Sequence, residues 1–175
     1  TRSLCDWSSD VCSSDLIRCN IQKKVTNFLY LYIMGHIDTV NAKWLEDMVF
    51  QAGINGHQVL MDADSSFGGQ DKGPRPKPFM LAALAGCTAM DVISILKKMR
   101  VVPKYFNVRV EGELTEEHPV HYKKIHVTYE FVGDGLPMDK LKRAVELSEN
   151  NYCGVAHVYK QVMEVTSEIT NKSDG

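Results

Sequence analysis

The residues in this 175-residue chain best suited to chemistry are two cysteines. Cys87 lies in the middle of GPRPKPFMLAALAGCTAMDVISILKKMR (Gly73–Arg100). Cys153 follows 66 residues later at the mouth of a second helical stretch, SENNYCGVAHVYKQV. Two thiols, each placed on a helix and separated by a β-rich segment, are the arrangement that thiol–disulfide chemistry needs. Taken residue by residue, a purely packing role stays open for both. Cys87 stands in an apolar run with Asp91 at i+4, and both neighbours disfavour a thiolate; a cysteine so placed behaves as a small hydrophobe. Cys153 stands where a helix begins, so unpaired backbone amides favour its thiolate, and His157 lies one turn on.

Other chemistry finds little to stand on. His118, His121 and His126 are spaced like occasional metal ligands, but His121 and His126 fall on opposite faces of a strand and His118 precedes Pro119 in a loop. The chain has no HExxH and no CxxC, so neither a metal site nor a cofactor is expected. Gly68, Gly69 and Gly73 make no phosphate-binding fingerprint, and no G-x-S-x-G anchors a serine hydrolase.

The composition is that of an ordinary globular chain, 44 % hydrophobic and 24 % charged, long enough for one domain with a real core. Its 20 basic and 22 acidic residues leave a net charge of −2, which argues against nucleic acid or a membrane surface as partner. Cys5–Leu16, CDWSSDVCSSDL, has no apolar periodicity and looks like a translated sequencing adaptor. The apolar run Phe28–Ile33 is far shorter than the about 20 residues that cross a bilayer. Residues 1–33 therefore read as a non-native or upstream extension without a fold of its own, with Met34 as the natural start and 34–175 as a single domain. Setting the extension aside removes Cys5, Cys12 and Cys19. Few cysteines and no disulfide framework fit a reducing cytoplasm.

The elements that must position the two thiols follow from periodicity. Asn41–Phe50 and Gly56–Met61 read as strands, followed by a Gly- and Pro-rich loop over Asp62–Lys77. Phe79–Met99 reads as a helix about 30 Å long. Pro78 opens it, Lys97, Lys98 and Arg100 suit its C-terminus, and Pro103 stops it. Its first half, MLAALAGC, is apolar all round and calls for burial on every side. Phe106–Leu114 and Lys124–Val132 alternate as the strands of a hairpin, with Phe106, Val108 and Val110 on one face of the first and Ile125, Val127, Tyr129 and Phe131 facing the core from the second. Met138–Glu149 reads as a helix, another helix follows Cys153, and Met163–Ile169 closes as a strand. The order is that of an α+β fold. One sheet cannot cover the long apolar helix, and an intertwined homodimer would.

PKPFMLAALAGCTAMDVISILKKMR together with AVELSENNYCGVA resembles the OsmC/Ohr family of osmotically induced and organic-hydroperoxide-resistance proteins, over about Gly35 to Thr170. The resemblance implies an OsmC-like fold, antiparallel strands packed around a long central helix, in an interlocked homodimer with active sites at the subunit interface. It implies a thiol-dependent peroxidase without cofactor. Cys87 matches the peroxidatic cysteine, which a small-molecule hydroperoxide would convert to a sulfenic acid. Cys153 matches the resolving cysteine, which would close the disulfide for a dithiol reductant to reopen. This chain departs from the pattern at two places: Lys77 stands where hydroperoxide-reducing members carry a glutamate, and Gly35–Met61 contains no arginine to stabilise the thiolate. Arg75 and Lys77 are the cations placed to substitute. The alternative function is a non-catalytic OsmC-like dimer that binds a small hydrophobic ligand at its interface.

Overall fold

A computed structural model describes residues 37–173; the expected extension over 1–33 lies outside the described residues. By contact the chain divides into one unit of 42–52 with 58 onward and another that includes 53–57. Both cysteines and the whole hydrophobic core belong to the first.

Three short strands come first among the described residues: β1 (Asn41–Glu46), β2 (Val49–Ile54) and β3 (His57–Met61), in the order β1-β2-β3. The single strand expected over Asn41–Phe50 is thus two strands. Asp47 breaks it by adopting a left-handed conformation (φ 42°), which aspartate tolerates better than most residues. The long loop that follows is organised by the buried carboxylate of Asp62, which accepts from the backbone N–H groups of Ala63, Gln70 and Lys72 at 2.7, 2.9 and 3.0 Å.

Helix α1 (Phe79–Lys98) follows, free of breakers and with Pro78 just before its first turn. It ends in a Schellman motif: Arg100 adopts φ 58°, its N–H donates to Lys97 O at 3.1 Å and that of Val101 donates to Leu96 O at 2.9 Å. The stop is therefore made at Arg100, before Pro103 is reached. Leu84, Thr88, Val92, Ile95 and Leu96 form its buried stripe, at spacings of three and four residues. The rest of the helix is not enclosed by this chain. Met80, Ala82 and Ala83 are exposed and Met90 is 72 % exposed, so the burial expected on every side is absent from the single chain. By length and composition α1 would also suffice to cross a membrane, as core helices often do.

The second sheet has the order β4-β5-β6. β4 (Tyr105–Leu114) and β5 (Tyr122–Val132) pair antiparallel as the expected hairpin, with Phe106 opposite Phe131 and their rings stacked 4.7 Å apart. β6 (Glu164–Lys172) joins β5 in parallel, because the chain between them crosses over through α2 (Met138–Leu147), a π-turn (Ser148–Tyr152) and α3 (Gly154–Val162). Ile125, Val127, Tyr129 and Phe131 are buried, as the alternation of β5 requires, and pack in one cluster with Leu84, Val92 and Leu96 of α1 and Leu141 and Ala144 of α2. Mixed α+β architecture around a long helix is what the sequence pattern demanded; the parallel pair is an addition.

Candidate active site

The site is assembled where α1 meets the crossover. Cys87 and Asp91 lie one turn apart on the flank of the buried stripe, both partly exposed. Cys153 arrives from the other side as the N-cap of α3. Its backbone is extended (φ −74°, ψ 101°), and its Sγ accepts a hydrogen bond from the Ala156 N–H at 3.3 Å. Sulfur here takes the place that serine or aspartate oxygen fills at most helix starts. The side chain is only 2 % exposed.

These elements bring together what 66 residues separate. Both cysteines are free thiols. The two sulfurs and one carboxylate oxygen of Asp91 all lie within 4.8 Å of one another. Burial pushes the Cys153 thiol up to about 11, a neighbouring Cys87 adds to the rise, and the Ala156 N–H opposes it. The helix start expected to favour this thiolate is present, but removal from water outweighs it.

Three residues that the sequence did not single out frame the thiols. Ser148 is fully buried at the start of the π-turn, and its Oγ points at α1, 3.3 Å from Asp91 Oδ2 and 3.5 Å from Thr88 O. Tyr129, buried on β5, donates its hydroxyl to Glu149 Oε1 at 3.2 Å; burial, then the charge of Glu149, raise its pKa. Glu149 is held in turn by Lys160 at 3.3 Å. The π-turn is thus tied to α1 through Ser148, to β5 through Glu149 and to α3 through Lys160, fixing the segment that delivers Cys153. No signal in the sequence separates Ser148 from any helix-terminal serine.

Two expectations change here. His157 turns its ring to Gln161, with Nε2 2.8 Å from the amide nitrogen. Arg75 is committed elsewhere, to Asp64 at 2.6 Å and Asp71 at 2.8 Å, and so supplies no free charge to a thiolate. Among the described residues no ion pair reaches Lys77, Cys87 or Asp91. The three candidate histidines stay apart: His121 Nδ1 meets Pro119 O, His126 Nδ1 meets Thr166 Oγ1, and His118 precedes a cis proline.

A mixed sheet wrapped on a long helix is an architecture that known proteins share. Residues 69–168 match the family described as OsmC-like protein. Protein YhfA of Escherichia coli strain K12 is 36 % identical over 125 residues, 71 % of this chain and 90 % of that one. The chain belongs to the OsmC-like family. Among solved structures, a hypothetical protein from Aquifex aeolicus superimposes with a TM-score of 0.70 at 25 % identity, covering 80 % of this chain and 99 % of that one. An organic hydroperoxide resistance protein OsmC from Legionella pneumophila has a TM-score of 0.60 over 78 % of this chain and 98 % of that one; at 11 % identity it shares the fold alone.

Proposed function

We propose that the protein is a cytoplasmic thiol-dependent peroxidase that reduces organic or other hydroperoxides through Cys87 and Cys153. The observation that carries this reading is the meeting of two free thiols within 4.8 Å, one part-exposed and one buried. Cys87 as thiolate attacks one oxygen of the hydroperoxide. The O–O bond breaks, the oxygen stays on sulfur as a sulfenic acid, and the alcohol departs with the proton that the thiol gave up. The Asp91 carboxylate is the acceptor within reach of that proton. Cys153 then attacks the sulfenic sulfur, a disulfide forms and water leaves. A dithiol reductant restores both thiols by exchange and becomes a disulfide itself.

The same reading makes 34–175 one domain that works as a homodimer. The half of α1 around Ala82, Ala83 and Met90 is too apolar to be left in water, and a second copy is the occupant that would cover it.

The test is the intact mass of the full chain with Cys5, Cys12 and Cys19 changed to serine, before and after one equivalent of cumene hydroperoxide. A loss of about 2 mass units per chain, absent in C87S and in C153S, is the expected result. An unchanged mass in a folded protein would overturn it and leave the hydrophobic-ligand dimer as the function.

A further inference from the structure

We propose that Cys87, Asp91 and Cys153 form a binding site for a thiophilic divalent ion of the zinc class, open to the reduced protein and closed by the disulfide. The inference rests on the donor geometry and not on peroxide reduction.

The three donor atoms lie within 4.8 Å of one another. Two sulfurs on a tetrahedral ion, with bonds of about 2.3 Å, stand roughly 3.8 Å apart, and a carboxylate oxygen at about 2.0–2.2 Å comes closer still. The set is therefore within about 1.5 Å of closing on an ion. Among the described residues no other group of three His, Cys, Asp or Glu side chains converges in this way.

The donor set also accounts for Asp91. A carboxylate beside two thiols can pass a proton on, but its charge repels the thiolate left behind. As the third donor to a cation it has a purpose, and the attraction among the three groups then runs through the ion. Soft sulfur donors select zinc-class ions over magnesium or calcium. Ser148, fully buried, reaches the same Asp91 carboxylate at 3.3 Å and orients it, the part that outer-shell hydrogen bonds play at metal sites. The Ala156 N–H on Cys153 Sγ supports a metal-bound sulfur in the same manner. Cys87 and Asp91 are partly exposed while Cys153 is buried, so an ion would enter past the first two and keep its fourth position toward solvent.

Binding would release the two S–H protons to solvent and change no oxidation state. It also excludes the disulfide, whose sulfurs must close to about 2.05 Å. An ion would therefore protect the thiols, and their oxidation would expel it.

Cobalt(II), added without oxidant to the reduced full chain carrying C5S, C12S and C19S, tests the site. The expected result is a thiolate-to-cobalt charge-transfer band that saturates at one ion per chain and is displaced by zinc. The band should be lost in C87S. D91N should weaken cobalt binding at least about tenfold, and S148A by about tenfold through the outer shell. Cys153 is too buried to rely on C153S alone, and circular dichroism of D91N and C87S confirms that those variants fold. No charge-transfer band, or undiminished affinity in D91N, would overturn the site. A cobalt band in a protein whose mass hydroperoxide leaves unchanged would keep the site and remove the peroxidase; the reverse pair of results would keep the peroxidase and remove the site.

Discussion

Whether Cys153 could begin the proposed reaction turns on how readily it gives up its proton, and alkylation reads this directly. The Cys153 thiol is pushed from 9.0 up to about 11. At pH 8 a thiol at about 11 is only about 0.1 % thiolate, whereas one at 9.0 is about 10 %, a hundredfold difference in the reactive species. In the reduced protein, kept metal-free with a chelator, iodoacetamide should label the part-exposed Cys87 before the buried Cys153. The rate at Cys153 should be at least about a hundredfold below that of the same cysteine in denaturant at pH 8. Poor access alone would also slow Cys153, but by a factor that does not change with pH. The distinguishing result is the slope: the Cys153 rate should climb about tenfold per pH unit from pH 7 to beyond pH 10. Peptide mass spectrometry of timed samples measures both sites in one experiment. A plateau at or below pH 9 would show that the α3 N-terminus, and not burial, sets the Cys153 proton affinity, and would refute the order of events given above.

Met90→Glu places a carboxylate on the exposed face of α1. Burying methionine stabilises by about 1.5–3 kcal/mol, and a twofold interface would take the loss twice, with an unpaired charge added. Dimer affinity measured by sedimentation should fall at least about a hundredfold, and an unchanged association would remove α1 from the interface. The loop before α1 should be resistant to acid. Hydrogen bonds from the Ser66 N–H, the Ser66 hydroxyl and Arg75 hold Asp64 down to about 2, so their support is complete above the ordinary value of 3.8 and is lost only as pH falls through about 2. Protection of the Ser66 amide in hydrogen exchange should survive at pH 4 and vanish below pH 2; loss already at pH 4 would contradict the ion-pair geometry.

Much of this was legible in the sequence because period and punctuation agreed. The alternation in Phe106–Leu114 and Lys124–Val132 fixed the hairpin, and the breaker-free run after Pro78 fixed α1 to within a residue or two. What stayed hidden depended on partners distant in the chain. Nothing near Ser148 reveals that its hydroxyl faces Asp91, 57 residues earlier. Nothing near Arg75 shows that Asp64 and Asp71 hold it, so a cation close to Cys87 in sequence looked available when it was not. Asp47 broke a strand by a single left-handed residue, an event that alternation cannot report. The conflict at Cys153, a helix start against burial, could be weighed only once its 2 % exposure was known. Asp91 was visible from the start as an obstacle to Cys87, but its place within reach of both sulfurs was not.

The crossover that makes β6 parallel also orders the site in time. The β4–β5 hairpin is local and can form within microseconds of leaving the ribosome, but Cys153 lies in the segment that must be completed before β6 can pair. At about 5–20 residues per second, the 66 residues between the cysteines take roughly 3–13 s to synthesise. For that interval every new copy carries Cys87 before Cys153 has been made, so an oxidant met during translation finds Cys87 without the sulfur that the fold later places beside it. On the proposed chemistry, newly made chains would be the population most exposed to irreversible damage under oxidative stress, and rapid synthesis of the stretch from Cys87 to Cys153 would be part of their defence.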